Sequence, residues 1–315
     1  MLFYGTPAFA LPTLEGLLAH HHVVAVVTQP DKPAGRGRAL TTSVVKRRAL
    51  EASVPVLQPP RLRDVGWPER LAEYRADVAV VAAFGQILPT AVLDVPARGS
   101  INVHGSILPR YRGAAPIAWA IMRGETETGI TTFQMDAGMD TGDMLLRETA
   151  AIGPDETAGE LSARLAAIGA RLLLQTLEGL SSLPRIPQDP AQATLAPRLK
   201  KEDGWLRLAD PARDLVNRVR GCNPWPGAAL MTPAGRLLIW RARSVPSELA
   251  DVPGTLVRLP PQGRGQGEGP MAITTGAGLL LPLEVQPDNR KAMSWADFLR
   301  GARLQPGACV SEPTR

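Results

Sequence analysis

The sequence predicts an open, doubly wound α/β domain with a mostly parallel, Rossmann-like sheet, followed by a smaller C-terminal β domain. Three observations carry this. Short β-branched runs alternate with helical patterns through residues 1–180, and alternation of β and α builds layered sheets with helices on both faces. The β runs are almost continuously apolar, as strands covered on both faces are. Beyond residue 183 the composition shifts to proline-rich chain and then to short strands punctuated by Gly and Pro.

Taken in order, the first strand is Leu2-Phe3-Tyr4, three residues before Gly5-Thr6-Pro7. A buried strand usually runs about five or six residues, so this strand is expected to be stunted, or the start to lie a few residues late. LPTLEGLLAH (11–20) reads as a helix. His20, His21 and His22 end it, where cationic side chains suit the helix dipole, and no function is assigned to them. HVVAVVTQ (22–29), ADVAVVAAF (76–84), SINVH (100–104) and GITTFQM (129–135) read as strands. VVKRRALEA (44–52) and residues 156–180 read as helices.

The stretch 182–200 carries four prolines and few large apolar residues, so it reads as a linker. The expected domains are therefore 1–183, a linker over 184–199, and 200–315. In the last, residues 210–222 read as a helix. GAALM (227–231), RLLIWRA (236–242), GTLVRL (254–259), MAITTG (271–276) and GLLLPLEV (278–285) read as short strands of a small barrel or sandwich. PQGRGQGEGP (261–270) reads as a flexible turn between two of them. Trp225, in NPWPGA, is expected to be buried at the corner between helix and strands, with base stacking as the alternative.

Composition narrows the function classes. Of 315 residues, 44% are hydrophobic and 21% charged, which is ordinary for a globular protein. The two cysteines, Cys222 and Cys309, have neither metal nor redox spacing, which fits a reducing cytosol and argues against a disulfide scaffold. No apolar run approaches the roughly 20 residues of a membrane span, and no signal-peptide pattern opens the chain. A soluble, cytoplasmic protein is expected. Residues 1–199 hold 19 Lys+Arg and 19 Asp+Glu, whereas residues 200–315 hold 16 and 11, so the whole net charge of +5 lies in the last third. A basic C-terminal unit fits a polyanionic partner such as nucleic acid, or serves solubility alone.

Chemistry concentrates in two stretches. In SINVH, strand alternation puts Asn102 and His104 on one face. An amide donor beside an imidazole can hold an oxyanion while protons move; the plainer reading is a strand end satisfying local backbone groups. In QMDAGMDTGDM (134–144), Asp136, Asp140 and Asp143 sit in a Gly-rich loop. The calcium-loop spacing is absent. The loop is either an ordinary Asp-Gly turn or the source of one carboxylate that orients His104 and raises its pKa. There is no HExxH and no CxxC, and His104 is the one well-placed imidazole, so no metal is expected.

INVHGSILPRYRGAAPI (101–117) with MDAGMDTGDM (135–144) resembles the 10-formyltetrahydrofolate-dependent formyltransferase family. Its pattern is Asn-x-His at a strand end, then Ser-Leu-Leu-Pro, with a downstream Asp in a Gly-rich loop. This chain has Ile107 in place of the first Leu. FYGTPAFA (3–10), TQPDKPAGRGR (28–38), NPWPGA (223–228) and KAMSWADFL (291–299) extend the match over nearly the whole chain. The resemblance implies a formyltransferase fold with a C-terminal oligonucleotide-binding-type (OB-like) barrel. It implies that Asn102, His104 and Asp140 are the catalytic trio, that Ser106, Ile107, Leu108 and Pro109 bind folate, and that the segment with Phe84, Gly85 and Ile87 lines the pterin pocket. It implies that Arg36, with Arg38 beside it, meets the acceptor end of a tRNA. The implied reaction moves formyl from 10-formyltetrahydrofolate, as co-substrate, to the α-amino group of methionine on initiator methionyl-tRNA, for translation initiation. A monomer without metal is expected.

The residue types suit that chemistry. A free α-amino group has pKa about 7.7–8.0 and must lose its proton to attack. Attack on the formyl carbon gives a tetrahedral oxyanion, to which Asn102 and a protonated His104 can donate. Rival readings are weaker. A formyl-folate hydrolase has no use for the PAGRGR loop, and glycinamide ribonucleotide formyltransferase lacks the added C-terminal domain. Sugar-nucleotide formyltransferases are the closer rival, against which the basic C-terminal unit and PAGRGR weigh. A dinucleotide-dependent oxidoreductase needs three glycines where GTPAFA has one, and a purely RNA-binding module leaves the NxH and Asp loops without purpose.

Overall fold

A computed structural model describes residues 1–34, 39–248, 251–260 and 269–313. It divides into two compact units, one of residues 1–117, 127–151 and 160–198, the other of residues 118–126, 152–159 and 199–315.

In chain order the first half contains β1 (Leu2–Gly5), α1 (Leu11–His20), β2 (Ala25–Val27), β3 (Lys32–Ala34), β4 (Ala39–Thr41), α2 (Val44–Glu51), β5 (Val56–Leu57), α3 (Trp67–Ala72), β6 (Ala79–Ala82), α4 (Thr90–Leu93), β7 (Ser100–His104), α5 (Pro116–Met122), β8 (Glu127–Gln134), β9 (Met144–Ala151) and α6 (Ala158–Gly179). Seven strands form one sheet in the order β5-β2-β1-β6-β7-β8-β9. Pairing is parallel from β5 to β7 and antiparallel across β7, β8 and β9. The sheet is thus doubly wound and mostly parallel, as the alternation of elements predicts.

The stunted first strand sets the dimensions. β1 lies in the middle of the sheet and offers four fully buried residues, Leu2 to Gly5. Its register runs Leu2↔Ala79 to Gly5↔Ala82 on one side and Leu2↔Ala25 to Tyr4↔Val27 on the other. A strand pairs only as far as its neighbour extends, so β2 and β6 are shorter than their apolar runs. β9 was not expected: MLLRETAA mixes charges into a weak alternation, and its place at the sheet edge leaves half its residues outside the core.

The 22-residue α6 buries Leu161, Leu165, Leu172, Leu173 and Leu177. At Gly169 it comes so close to the sheet that a Cβ would lie 2.8 Å from Val103 Cγ1. This close approach seats β7 from behind.

The segment expected as a linker is bound to the first unit. Ile186 and Met144 exchange two backbone hydrogen bonds of 2.9 Å. Arg112 N donates to Thr194 O at 2.8 Å and Ala196 N to Arg112 O at 2.7 Å. Proline-rich chain can dock in this way because backbone pairing at the residues between prolines needs no apolar side chain.

The second unit contains α7 (Ala212–Gly221), β10 (Ala228–Thr232), β11 (Gly235–Val245), β12 (Leu256–Arg258), β13 (Met271–Thr274), β14 (Leu279–Pro287), β15 (Met293–Ser294) and α8 (Trp295–Ala302). One antiparallel sheet runs β10-β11-β14-β13-β12, with β15 on β14. It curls around Leu215, Val219, Leu230, Leu237, Ile239, Leu280, Trp295 and Phe298. A single curled sheet decides between barrel and sandwich in favour of the former. Its two edges are bridged by the same late segment, which pairs Cys309 with Thr255 and Ser311 with Met231. The turn over 261–270 lies, as far as residue 268, outside the described residues; β12 and β13 on either side of it pair antiparallel.

Trp225 corrects an expectation, being 52% exposed. The corner is held by Trp240, whose Nε1 donates to Gln286 Oε1 at 2.9 Å and whose carbonyl accepts from Asn223 Nδ2 at 3.0 Å.

Five backbone hydrogen bonds tie residues 307–311 to the two edge strands and their flanks. Deleting residues 306–315 should cost on the order of 5 kcal/mol, at about 1 kcal/mol per bond. Cys222 reads out the loss: burial pushes its thiol up to about 12, whereas Cys309 is exposed. Iodoacetamide should label Cys309 alone in the native protein, and Cys222 readily in the deletion variant, as measured by mass spectrometry.

Candidate active site

β7 places the two residues singled out in SINVH. Its register sets Asn102 between Val81 and Phe133, and His104 opposite Thr131. Alternation sends Ile101 and Val103 to the opposite face, where both are buried. His104 is buried, with its ring edge-on to Phe133 at 6.3 Å. Asn102 is half-buried, and its Nδ2 has a single weak contact among the described residues, 3.9 Å to Met135 Sδ.

Three residues with positive φ shape the surroundings of His104: Tyr111 (61°), Gly113 (121°) and Asp140 (56°). The turn at Tyr111 brings its carbonyl oxygen to 2.9 Å from His104 Nε2. A carbonyl can only accept, so Nε2 carries a hydrogen and Nδ1 is the nitrogen that gains or loses a proton. Nδ1 lies 3.7 Å from Asp140 Oδ2. That is ion-pair range, too long for a direct hydrogen bond and suited to a proton passed through water. Asp140 Oδ2 also accepts from Gly113 N at 2.8 Å, which fixes the carboxylate. The structure therefore brings His104 and Asp140 together, with Asn102 on the same strand face.

Among the expected folate residues, Ser106, Leu108 and Pro109 are buried and Ile107 is half-buried. Ser106 Oγ donates to Arg110 O at 2.6 Å. Thr131 Oγ1 donates to Ser106 O at 2.7 Å and accepts from Leu108 N at 3.1 Å. The hydroxyls of Ser106 and Thr131 thus hold the loop, and Ile107 is its half-buried side chain. The peptide bond between Leu108 and Pro109 is cis.

Phe84 is buried edge-on against Tyr4, with ring centroids 5.5 Å apart. Gly85 has φ 82°, and Ile87 is 87% exposed. Phe84 and Leu88 belong to the apolar cluster against which Met135 packs, and Met135 also touches Asn102. The 84–89 segment is therefore connected to the face that carries Asn102. Met139, next to Asp140, is likewise an exposed apolar side chain. A flat heterocycle needs apolar cover of this kind.

Arg36 and Arg38 lie outside the described residues. The chain leading into them is anchored: Gln29 Nε2 donates to Gly85 O at 2.8 Å, and Gln58 Nε2 to Gln29 O at 2.9 Å. Lys46 Nζ reaches Asp31 at 2.6 Å, and with Gln58 it holds the Asp31 carboxyl below its ordinary range. Asp136 accepts from Gly138 N and Thr141 Oγ1, so it is a loop-forming residue. Among the described residues no three metal-ligating side chains converge.

Sequence reading missed Thr131, the Tyr111 carbonyl and Gln188, whose amide donates to the carbonyls of Asp140 and Gly142. Thr131 carries a faint signal, since pairing SINVH with GITTFQM sets it opposite His104. Neither of the others carries a local signal.

An α/β sheet with an amide, an imidazole and a carboxylate gathered on one face has the equipment of a group-transfer enzyme. The sequence model of the formyl transferase family matches residues 2–177, and that of the formyl transferase C-terminal domain residues 198–303. The chain belongs to the formyltransferase family. It is 49% identical over 315 residues to the methionyl-tRNA formyltransferase of Solibacter usitatus, covering 99% of this chain and 98% of that one. It is 46% identical to that of Syntrophus aciditrophicus, covering 98% of each. Among solved structures, a sugar 3N-formyl transferase with dTDP and 5-N-formyl-THF aligns with a TM-score of 0.63 at 17% identity, covering 92% of this chain and 98% of that one. The methionyl-tRNA formyltransferase of Clostridium thermocellum aligns at 0.56 and 16%, covering 87% and 98%. At such identities the structures share the fold.

Thr131→Val tests the loop support. It keeps the shape and strands two buried backbone groups, so urea unfolding should show a loss of about 2–3 kcal/mol.

Proposed function

We infer that this chain transfers the formyl group of 10-formyltetrahydrofolate to the α-amino group of methionine on initiator methionyl-tRNA, supplying formyl-methionine for translation initiation. One observation carries the reading to residues: His104 Nδ1 faces Asp140 Oδ2 at 3.7 Å while Nε2 is committed to a carbonyl, on the strand face that holds Asn102. The near full-length relatives named methionyl-tRNA formyltransferase support the substrate.

The neutral amine attacks the formyl carbon, forming a C–N bond and an oxyanion. Asn102 Nδ2 and protonated Nδ1 of His104 donate to that oxygen. Collapse breaks the bond from carbon to N10 of the folate. N10 takes up a proton and the amine nitrogen gives one up, with Asp140 accepting it or relaying it through water. The exposed apolar side chain of Ile87 and the loop from Ser106 to Pro109 are the surface offered to folate. Arg36 and Arg38, and separately the basic stretch 200–315, are the residues assigned to tRNA phosphates. The reading places the protein in the cytoplasm as a monomer, with residues 1–183 as the catalytic domain and 200–315 as the tRNA-binding barrel.

Incubation with 10-formyltetrahydrofolate and charged initiator tRNA should yield formyl-methionine. Asn102→Ala and His104→Ala should each lower kcat by about 10²–10³, the usual cost of one oxyanion donor. Wild-type rates in His104→Ala or Asp140→Ala would sink the site, and formylation of a sugar nucleotide with charged tRNA ignored would sink the substrate. Binding of tRNA should weaken steeply with salt, and a fragment ending at residue 198, which keeps the docked segment, should bind it less.

A further inference from the structure

Gln188 lies in the proline-rich segment between the stretches matched by the two family models. It is the one buried polar side chain there, about nine-tenths buried. Its amide is fully used. Nε2 donates to Asp140 O at 2.9 Å and to Gly142 O at 2.7 Å, and Oε1 accepts from Arg112 Nε at 3.0 Å and Nη2 at 2.8 Å. Turning the amide over would set its NH2 against the guanidinium and its oxygen against two carbonyls, so the orientation is fixed by its partners.

These partners enclose the His104–Asp140 pair from both sides. Arg112 stands between Tyr111, whose carbonyl holds His104 Nε2, and Gly113, whose N–H holds the Asp140 carboxylate. Asp140 itself is a non-glycine residue at φ 56°, a left-handed conformation that is uncommon outside glycine, asparagine and aspartate. The hydrogen bond from Gln188 ends on the carbonyl of that same residue. Within the loop, Asp136 fixes Gly138 and Thr141, and neither of those contacts restrains residue 140 directly.

We propose that Gln188 is a positioning residue for formyl transfer: it locks the Asp140 backbone and the Arg112 turn to each other, so that the Asp140 carboxylate meets His104 Nδ1. The proposal rests on the His104–Asp140 reading given above. Gln188 acts through Asp140, to whose carbonyl it donates.

Gln188→Glu keeps an acceptor for Arg112 and turns both donors into acceptors facing carbonyls. Gln188→Met keeps the size and removes every polar contact. In the full-length protein each should lower kcat by about 10- to 100-fold, the cost of a misplaced reacting group, with both KM values within about threefold. In an Asp140→Asn background the same changes should cost less than about threefold, because a group acting through Asp140 has nothing left to position. A merely structural role predicts the same cost in both backgrounds. That result, or wild-type kcat in Gln188→Glu, overturns the proposal. If Gln188→Met does not fold, Gln188→Glu, with its carboxylate paired to Arg112, decides alone. If His104→Ala and Asp140→Asn keep wild-type rates, the underlying site reading has failed, whatever Gln188 does.

Discussion

The hydrogen bond between His104 Nε2 and the Tyr111 carbonyl is the constraint on which the site depends. It settles which imidazole nitrogen carries a hydrogen toward the protein and which faces Asp140, and it is made by a backbone carbonyl, which can only accept. Satisfying it requires the chain after β7 to turn back sharply. Tyr111 takes up a left-handed conformation, Gly113 follows at φ 121°, and the cis bond before Pro109 lies in the same turn. A Cβ at residue 113 would stand 2.7 Å from the Ala196 carbonyl, so the turn and the docked 184–198 segment fit together only with glycine there. Loop, segment and imidazole are one arrangement.

A second constraint is length. The central strand offers four residues, and its parallel neighbours pair no further than it allows. β7 escapes this limit because its other neighbour, β8, is eight residues long and antiparallel. The switch from parallel to antiparallel pairing at β7 lets that strand extend to His104, with Thr131 across from it to hold the following loop. Asn102 and His104 stand on the strand where the sheet changes direction.

Much of this was legible in sequence because it is local. SINVH has the bounds of β7, and LPTLEGLLAH those of α1; alternation and helical period leave marks that need no partner. The site was legible in part: the alternation rule puts Asn102 and His104 on one face, and the family resemblance singles out Asp140. What was not legible depends on distant partners. Gln188 is unremarkable among prolines until Asp140, Gly142 and Arg112 come to it. The 184–198 segment reads as free chain because backbone pairing leaves no trace in side-chain composition. Trp225 was expected inside because tryptophans are mostly buried, yet Trp240 had already filled the corner.

The curled sheet of the second unit has a consequence for the order in which the protein is made. The sheet's edges are joined by residues 307–311, and the unit that holds it also includes residues 118–126 and 152–159, from the middle of the chain. On the ribosome, where earlier residues fold first, those two stretches emerge long before the strands they belong with. The first unit can complete its sheet during synthesis. The second cannot join its sheet edges until residues 307–311 have emerged, so the surface they cover stays open while residues 199–306 are made.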